Sequence, residues 1–295
     1  MMKNKNILIT GGRGFIGSSL TNKLIKNNNV KVYDIVDKKD IRNYELLEKE
    51  LKGIDYVFHF ASLISVEESM KKPLEYIENN VIGSLNVLKA SLECGIKKVI
   101  FLSSASVYGD SMENPKKENM ILKPKSIYAL TKVDVENLMK IFNENYGLKT
   151  ISLRIFNVYG PGQKVNSPYA SVIPIFVNRA LKNKPLIIYG NGKQTRDFIF
   201  IKDVMKANIL AAESNCRGIF NISAGVKTRI NDLSKLIIKL TNSKSKIKHR
   251  KPRKGDIIHS SASIAKAKKV LGFKPKYNLK DGLKETIKKF ESSNK

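Results

Sequence analysis

Three glycines spaced three apart, Gly11, Gly14 and Gly17, lead from an apolar run at 5–10 into a stretch at 15–26. That second stretch places Ile16, Leu20, Leu24 and Ile25 on one side at helical spacing. A strand that turns through glycines into a helix constrains the fold strongly. The first glycine permits a tight turn, the second lets backbone approach a pyrophosphate, and the third allows close packing of helix on strand. The free N–H groups of the helix N-terminus then face the phosphates. Asp34 closes the next apolar run, at 30–34. A carboxylate there accepts hydrogen bonds from adenosine ribose hydroxyls, which favours NAD. The alternative is a strand-end turn residue, and Arg13 and Lys31 keep NADP open.

The same alternation continues. Apolar runs at 55–61, 97–104 and 150–157 read as parallel strands. Helices are expected at 44–53, 73–94 (opened by Pro73 and closed by Gly95) and 126–146. This pattern predicts an α/β fold, a Rossmann-type doubly wound parallel sheet with a smaller C-terminal α/β substrate-binding domain. The expected division is 1–165 for NAD binding, with a contribution from about 190–215, and 166–295 mainly for the substrate. After a Gly/Pro/Ser-rich loop at 158–170, helices are expected at 172–182, 202–214, 230–241 and 280–290. Two short strands are expected within 184–201, around Gly190-Asn191-Gly192.

Composition narrows the class. Of 295 residues, 42% are hydrophobic and 27% charged, a globular balance. No apolar run approaches the roughly 20 residues a membrane span needs, and none reads as a signal peptide, so a cytoplasmic protein is expected. Two cysteines and three histidines show no metal-ligand spacing, and no metal is expected. The net charge of +28 favours anionic partners without choosing among them. Its densest run, 244–254, reads as a solvated, partly strand-forming segment rather than a nucleic-acid patch.

Tyr128 and Lys132 lie four apart in an expected helix, hence on one face. An ammonium beside a phenol lowers the phenol's pKa, and a tyrosinate that takes and returns a proton suits alcohol/ketone interconversion. Alone, such a pair is often just a surface pair. Here the preceding strand ends in FLSSASVYG (101–109), at the carboxyl edge where α/β sheets bind ligands. Ser104 is placed there to meet the reacting oxygen, with Ser103 and Ser106 as residues that satisfy backbone groups.

Together with these, HFASLISVEES (59–69), NNVIGSLNVL (79–88), LRIFNVYGPGQ (153–163), QTRDFIFIKDV (194–204), FNISAG (220–225) and RKGDIIHSSAS (253–263) run nearly end to end. The chain resembles the extended short-chain dehydrogenases/reductases of the NAD-dependent epimerase/dehydratase family, with UDP-glucose (UDP-galactose) 4-epimerases nearest. The resemblance implies that Tyr128 is the catalytic base, that Lys132 positions it and holds nicotinamide ribose, and that Ser104 assists at the sugar hydroxyl. It implies an NAD site of Gly11, Gly14, Phe15, Ile16, Gly17, Asp34, Asp40, Ile41, Phe60, Ala61, Asn79 and Lys132. It implies that Asn157, Val172, Tyr189, Arg196, Arg253 and Asp256 hold the UDP part. Arginine forks suit a diphosphate, although Asp197, next in sequence, offers Arg196 a local partner. A homodimer through the helices at 73–94 and 126–146 is implied as well.

Departures from the pattern bear on the reaction. Related dehydratases carry an acidic pair where this chain has Ala105 and Ser106, and UDP-glucuronate decarboxylases carry a glutamate at the second of these positions. Epimerisation needs only the Tyr/Lys/Ser set and held NAD. The expected activity is therefore C4 epimerisation of a UDP-hexose through a 4-keto intermediate. Ser260 stands where relatives carry either tyrosine or a small residue, and a small residue leaves room for a 2-N-acetyl group. The stretch from Asp34 to Asp40 is shorter than in many relatives, and Ile64 replaces a cofactor-contacting lysine. UDP-glucuronate 4-epimerisation, 4-reduction and a non-catalytic basic NAD-binding protein are the rival readings.

Overall fold

The structure is a computed structural model that describes residues 2–163, 171–252 and 258–293. The first half runs β1 (Asn6–Thr10), α1 (Phe15–Leu24), β2 (Asn29–Tyr33), α2 (Tyr44–Leu51), β3 (Tyr56–His59), α3 (Val66–Lys71), α4 (Pro73–Ile77), a π-helical turn (Glu78–Ile82), α5 (Gly83–Glu93), β4 (Lys98–Ser104), α6 (Ile127–Asn145) and β5 (Thr150–Ile155). The second half adds β6 (Val158–Tyr159), α7 (Val172–Leu181), β7 (Leu186–Tyr189), β8 (Thr195–Arg196), β9 (Ile199–Phe200), α8 (Ile201–Glu213), β10 (Gly218–Ile222), β11 (Thr228–Arg229), α9 (Ile230–Leu240), β12 (Ile247–Arg250), β13 (His259–Ser260), α10 (Ala265–Leu271) and α11 (Leu279–Ser293).

Six strands form one parallel sheet in the order β10-β5-β4-β3-β1-β2. Chain direction across the sheet reverses at β1, so the switch-point crevice opens beyond the carboxyl ends of β1 and β3. Successive strand residues serve opposite faces. Ile7, Ile9, Phe58 and Ile100 pack with α1, α8 and α10 through Leu20, Val204, Ala207, Ala267 and Leu271. Leu8, Val57, Val99 and Phe101 pack with α2, α5 and α6 through Leu47, Val87, Leu88, Val135 and Met139. Each such side chain taken out of water contributes about 1.5–3 kcal/mol. Two covered faces explain why these strands read as continuous apolar runs.

A third core joins α7, α9 and α11 to β7, through Phe176, Val177, Leu186, Leu233, Ile237, Leu283 and Ile287. The dense basic run supplies β12, which pairs in parallel with β7.

Several expectations are revised. The sheet has a sixth strand, β10, from beyond the residue ranges assigned to the dinucleotide half. The segment 184–201 holds three short strands, not two, and the loop expected from 158 begins with β6. The helix expected unbroken over 73–94 is interrupted by the π turn. Helices α3 and α10 were not anticipated.

Candidate active site

The glycine turn is built as its spacing requires. Gly11 has φ +67° and comes so close to the next strand's exit that a Cβ would lie 2.6 Å from the Ala61 nitrogen. A Cβ on Gly17 would lie 2.2 Å from the Gly11 carbonyl oxygen. Helix α1 starts at Gly14 without a side-chain cap and without an acid in its first turn. Its N-terminal N–H groups thus lack the partners a cap residue would supply, and the turn is a cradle fitted to a pyrophosphate.

Asp34 is buried, with Oδ2 accepting from the Arg13 backbone N–H (2.8 Å) and Oδ1 from Val36 N–H (3.0 Å). It is a turn residue and a carboxylate at the strand end at once, so the two readings coexist. Asp40 is gripped by its neighbour: Arg42 Nε donates to both carboxylate oxygens (3.1 and 3.0 Å) and Nη2 to Oδ2 (2.6 Å). That pairing holds the Asp40 carboxyl below its ordinary range. Ile41 is buried in the α2/α5 core, where its side chain fills the space beside Gly83.

Below the turn a hydroxyl–imidazole chain fixes Phe60 and Ala61. Both backbone N–H groups donate to Thr10 Oγ1 (3.1 and 3.2 Å). The Thr10 hydroxyl therefore donates to His59 Nδ1 (2.7 Å), leaving Nε2–H to donate to Ser84 Oγ (2.7 Å) and Ser84 to donate to the Asn80 carbonyl. Burial pushes His59 down to about 3, which keeps it neutral. Asn79 and Asn80 lie on the π turn. Asn79 donates to Asn80 Oδ1 (2.9 Å), while Asn80 accepts from Leu63 N–H (2.8 Å) and donates to Leu63 O and Thr131 Oγ1. Asn80, which no sequence pattern singled out, ties the loop after β3 to α6.

Beyond the carboxyl edge a cavity of about 1000 Å³ opens between the sheet and the C-terminal elements. Its lining brings together Ile16, Phe60, Ser104, Tyr128, Lys132, Asn157, Val172, Tyr189, Arg196 and Ser260. The other described NAD-site residues lie outside that lining. Arg253 and Asp256 lie outside the described residues. Ser104 ends β4 and caps the following 3-10 turn by accepting from Ser106 N–H (3.1 Å). Ser106 Oγ has no protein partner, and Ser103 donates to Glu136 Oε1 (2.6 Å).

Tyr128 and Lys132 share a face of α6, which Ser126 opens by capping Ala129 N–H. The Lys132 ammonium stands 5.7 Å from the Tyr128 ring centre and donates to Leu102 O (3.1 Å). The expected fall in the tyrosine pKa does not occur. Burial raises Tyr128, with a hydrogen bond to Ser104 working the other way. Burial likewise lowers Lys132 to about 7, opposed by Glu136 one turn on. Desolvation penalises both charged forms and outweighs their neighbours.

Glu136 is held in turn by Arg154, through Nε to Oε1 (2.9 Å) and Nη2 to Oε2 (2.7 Å), both side chains 2% exposed. Asp197, offered by sequence as a partner for Arg196, turns elsewhere. Its carboxylate accepts from Ser223 and from the backbone of Ala224, Val226 and Ala262. Two arginines not anticipated, Arg179 on α7 and Arg250 on β12, also line the cavity, and no carboxylate is among its described lining residues. Such a surface suits a polyanion next to an acid–base pair at a hydroxyl.

A model of the NAD dependent epimerase/dehydratase family matches residues 7–223. The chain is similar to the solved UDP-N-acetylglucosamine 4-epimerase from Methanobrevibacter ruminantium M1 in complex with UDP-N-acetylmuramic acid. Identity is 42%, coverage is 99% of this chain and 100% of that one, and the TM-score is 0.96. For the UDP-glucose 4-epimerase of Thermotoga maritima with UDP-glucose, identity is 36%, coverage 98% and 100%, and TM-score 0.92. A putative UDP-glucose 4-epimerase of Methanocaldococcus jannaschii is 36% identical over 98% of this chain and 99% of its own length.

Proposed function

We propose, from the premise that the chain belongs to the NAD-dependent epimerase/dehydratase family, that it is an NAD-dependent UDP-hexose 4-epimerase acting on UDP-glucose and UDP-galactose and accepting their N-acetylated counterparts. The observation that carries this reading is a cavity in which, among the described residues, Ser104, Tyr128 and Lys132 meet three arginines and no carboxylate.

In that cavity the UDP part of the substrate is held by Arg196 with Asn157, Val172 and Tyr189; Arg253 and Asp256, which lie outside the described residues, complete the proposed set. Gly11, Gly14, Phe15, Ile16, Gly17, Asp34, Asp40, Ile41, Phe60, Ala61, Asn79 and Lys132 would hold the dinucleotide. When bound there, NAD would supply reversible hydride acceptance at the sugar C4. Tyr128 takes the O4 proton as the alcohol becomes a ketone and gives it back as the alcohol re-forms. Ser104 hydrogen-bonds that oxygen throughout. Because burial raises the phenol, its ionisation depends on positive charge brought beside it, from protonated Lys132 and the oxidised nicotinamide. Turning the 4-keto sugar over between the two hydride steps makes the reaction an epimerisation. The net change is redox-neutral, so one NAD serves many turnovers.

Ser260 supports acceptance of a 2-N-acetyl group. It lines the cavity in register with Arg196 on the neighbouring strand. The relative from Methanobrevibacter ruminantium bears the name of an N-acetylglucosamine epimerase. We further propose a cytoplasmic homodimer, with 1–165 and about 190–215 chiefly serving the cofactor and 166–295 the nucleotide sugar. No helix among the described residues is long and apolar enough to cross a membrane. The test is to incubate the purified protein separately with UDP-galactose, UDP-N-acetylgalactosamine and UDP-glucuronate, with and without added NAD, and identify the products. The reading expects C4 epimers of the first two. Turnover of UDP-glucuronate alone, or of none, overturns it.

A further inference from the structure

A cation beside Asp34, where the ribose is expected, is already engaged. Arg13 lies in the glycine turn, and its own backbone N–H is bound by Asp34. Its guanidinium swings to the 3-10 turn after β2 and meets Asp37 as a fork, Nε to Oδ2 at 3.0 Å and Nη2 to Oδ1 at 3.2 Å. Among acids, Asp37 acts on that guanidinium first and Asp34 next, so all three groups share one small region of surface. Lys31 and Lys39 are both drawn to Glu50, at 3.6 and 2.8 Å. Each of these three basic groups thus has a carboxylate partner.

NAD and NADP differ by one phosphate on the adenosine ribose, at the oxygen that a carboxylate in Asp34's place receives. A protein accepts that phosphate when a nearby arginine is available to it, since bidentate arginine–phosphate pairs are among the strong charge-assisted contacts. Arg13 stands where such a group is needed.

We propose that Asp37 is a cofactor-specificity residue: by holding Arg13 in a fork it denies the 2′-phosphate its countercharge, and it works with Asp34 to restrict the chain to NAD. This rests on the reading of the glycine turn as a dinucleotide site. Arg13 is 57% exposed on its side chain, so the pair adds little to stability and its removal leaves the fold intact.

The experiment is a competition. The protein is equilibrated with an equimolar excess of NAD⁺ and NADP⁺ and passed through a desalting column, and the retained nucleotides are separated by chromatography. Wild type is expected to retain NAD. Asp37→Asn is expected to shift the retained ratio toward NADP by about tenfold, the scale of one charge-assisted hydrogen bond. Adding Arg13→Ala to Asp37→Asn is expected to cancel that shift. An unchanged ratio in Asp37→Asn, with NAD still retained, overturns the latch and leaves the dinucleotide reading standing. An equal shift in the double variant also overturns it, since relief of negative charge alone would then suffice. Wild type retaining neither nucleotide overturns both.

Discussion

Lys132 is 4% exposed, with its ammonium over the Phe101 ring, and burial brings its pKa to about 7. In an unfolded chain the same lysine keeps its proton to about pH 10.4. Between those values the unfolded chain binds more protons than the folded one, so stability rises with pH across that window. The cost of the buried charge is fully present below pH 7. Lys132→Met removes the charge at similar volume. The variant is expected to melt several degrees above wild type at pH 6.5, with the gap clearly narrower at pH 9 though not closed, while kcat falls by at least ~100-fold. Melting curves at the two pH values check this; a gap that ignores pH would show that another group titrates. Ser260 makes the complementary case for size. Ser260→Tyr is expected to cut kcat/KM for UDP-N-acetylgalactosamine by about 10- to 100-fold, the scale of an overpacking clash. UDP-galactose should change by less than about fivefold, as paired kinetics will read. Ser104, Tyr128 and Lys132 were legible because each signal is local, a strand end and one helical turn. Arg250 was not. It reaches the cavity only because β12 pairs with β7 and sets it beside Tyr189, and nothing near residue 250 encodes that pairing.

At the level of elements, α1 fits closely against its own entry turn. A methyl on Gly17 would meet backbone, the Gly11 carbonyl at 2.2 Å and Gly12 Cα at 2.8 Å, and backbone cannot step aside as a flexible side chain can. Gly17→Ala is expected to destabilise the fold by about 2–4 kcal/mol and to lose NAD from the purified protein. Gly53→Ala is the control, since Gly53 has φ +76° and nothing within 4 Å of its would-be Cβ. It should cost only about 1 kcal/mol of backbone strain and leave NAD in place. Thermal melts with nucleotide extraction separate the two. Five of the six sheet strands were readable, since apolar runs buried on both faces leave a strong mark. Helix α3 carries a short mark: Ser65 followed by Glu68 is a capping pattern, and Ser65 does accept from Glu68 N–H (2.9 Å). The π turn left none. Moving a few hydrogen bonds from the i→i+4 to the i→i+5 pattern requires no proline or glycine, and its purpose, turning Asn80 toward Leu63 and Thr131, is visible only in three dimensions.

For the whole molecule, the proposed dimer sets two forces against each other. Helices α4 and α5 pack beside α6, and along these helices and the π turn Leu74, Ile82, Leu130 and Ile141 are between 39% and 76% exposed. A second copy meeting that surface would bury these residues in a four-helix arrangement, with apolar burial as the driving force. Each chain also carries a net charge of +28, and two such chains repel. Salt screens the repulsion and leaves the apolar attraction in place. Association should therefore tighten as salt rises from about 50 mM to 500 mM, where the Debye length falls from roughly 14 Å to 4 Å. An interface held by ion pairs would weaken instead. Light scattering on the eluting protein should give twice the 33.2 kDa chain mass, with the monomer fraction growing on dilution in low salt. Leu74→Glu combined with Ile141→Glu should give the single-chain mass at either salt, with helicity and melting retained. A wild-type protein that elutes as a monomer at every salt concentration would refute the dimer. One that dissociates as salt rises would place its attraction in charge pairs rather than in these four side chains.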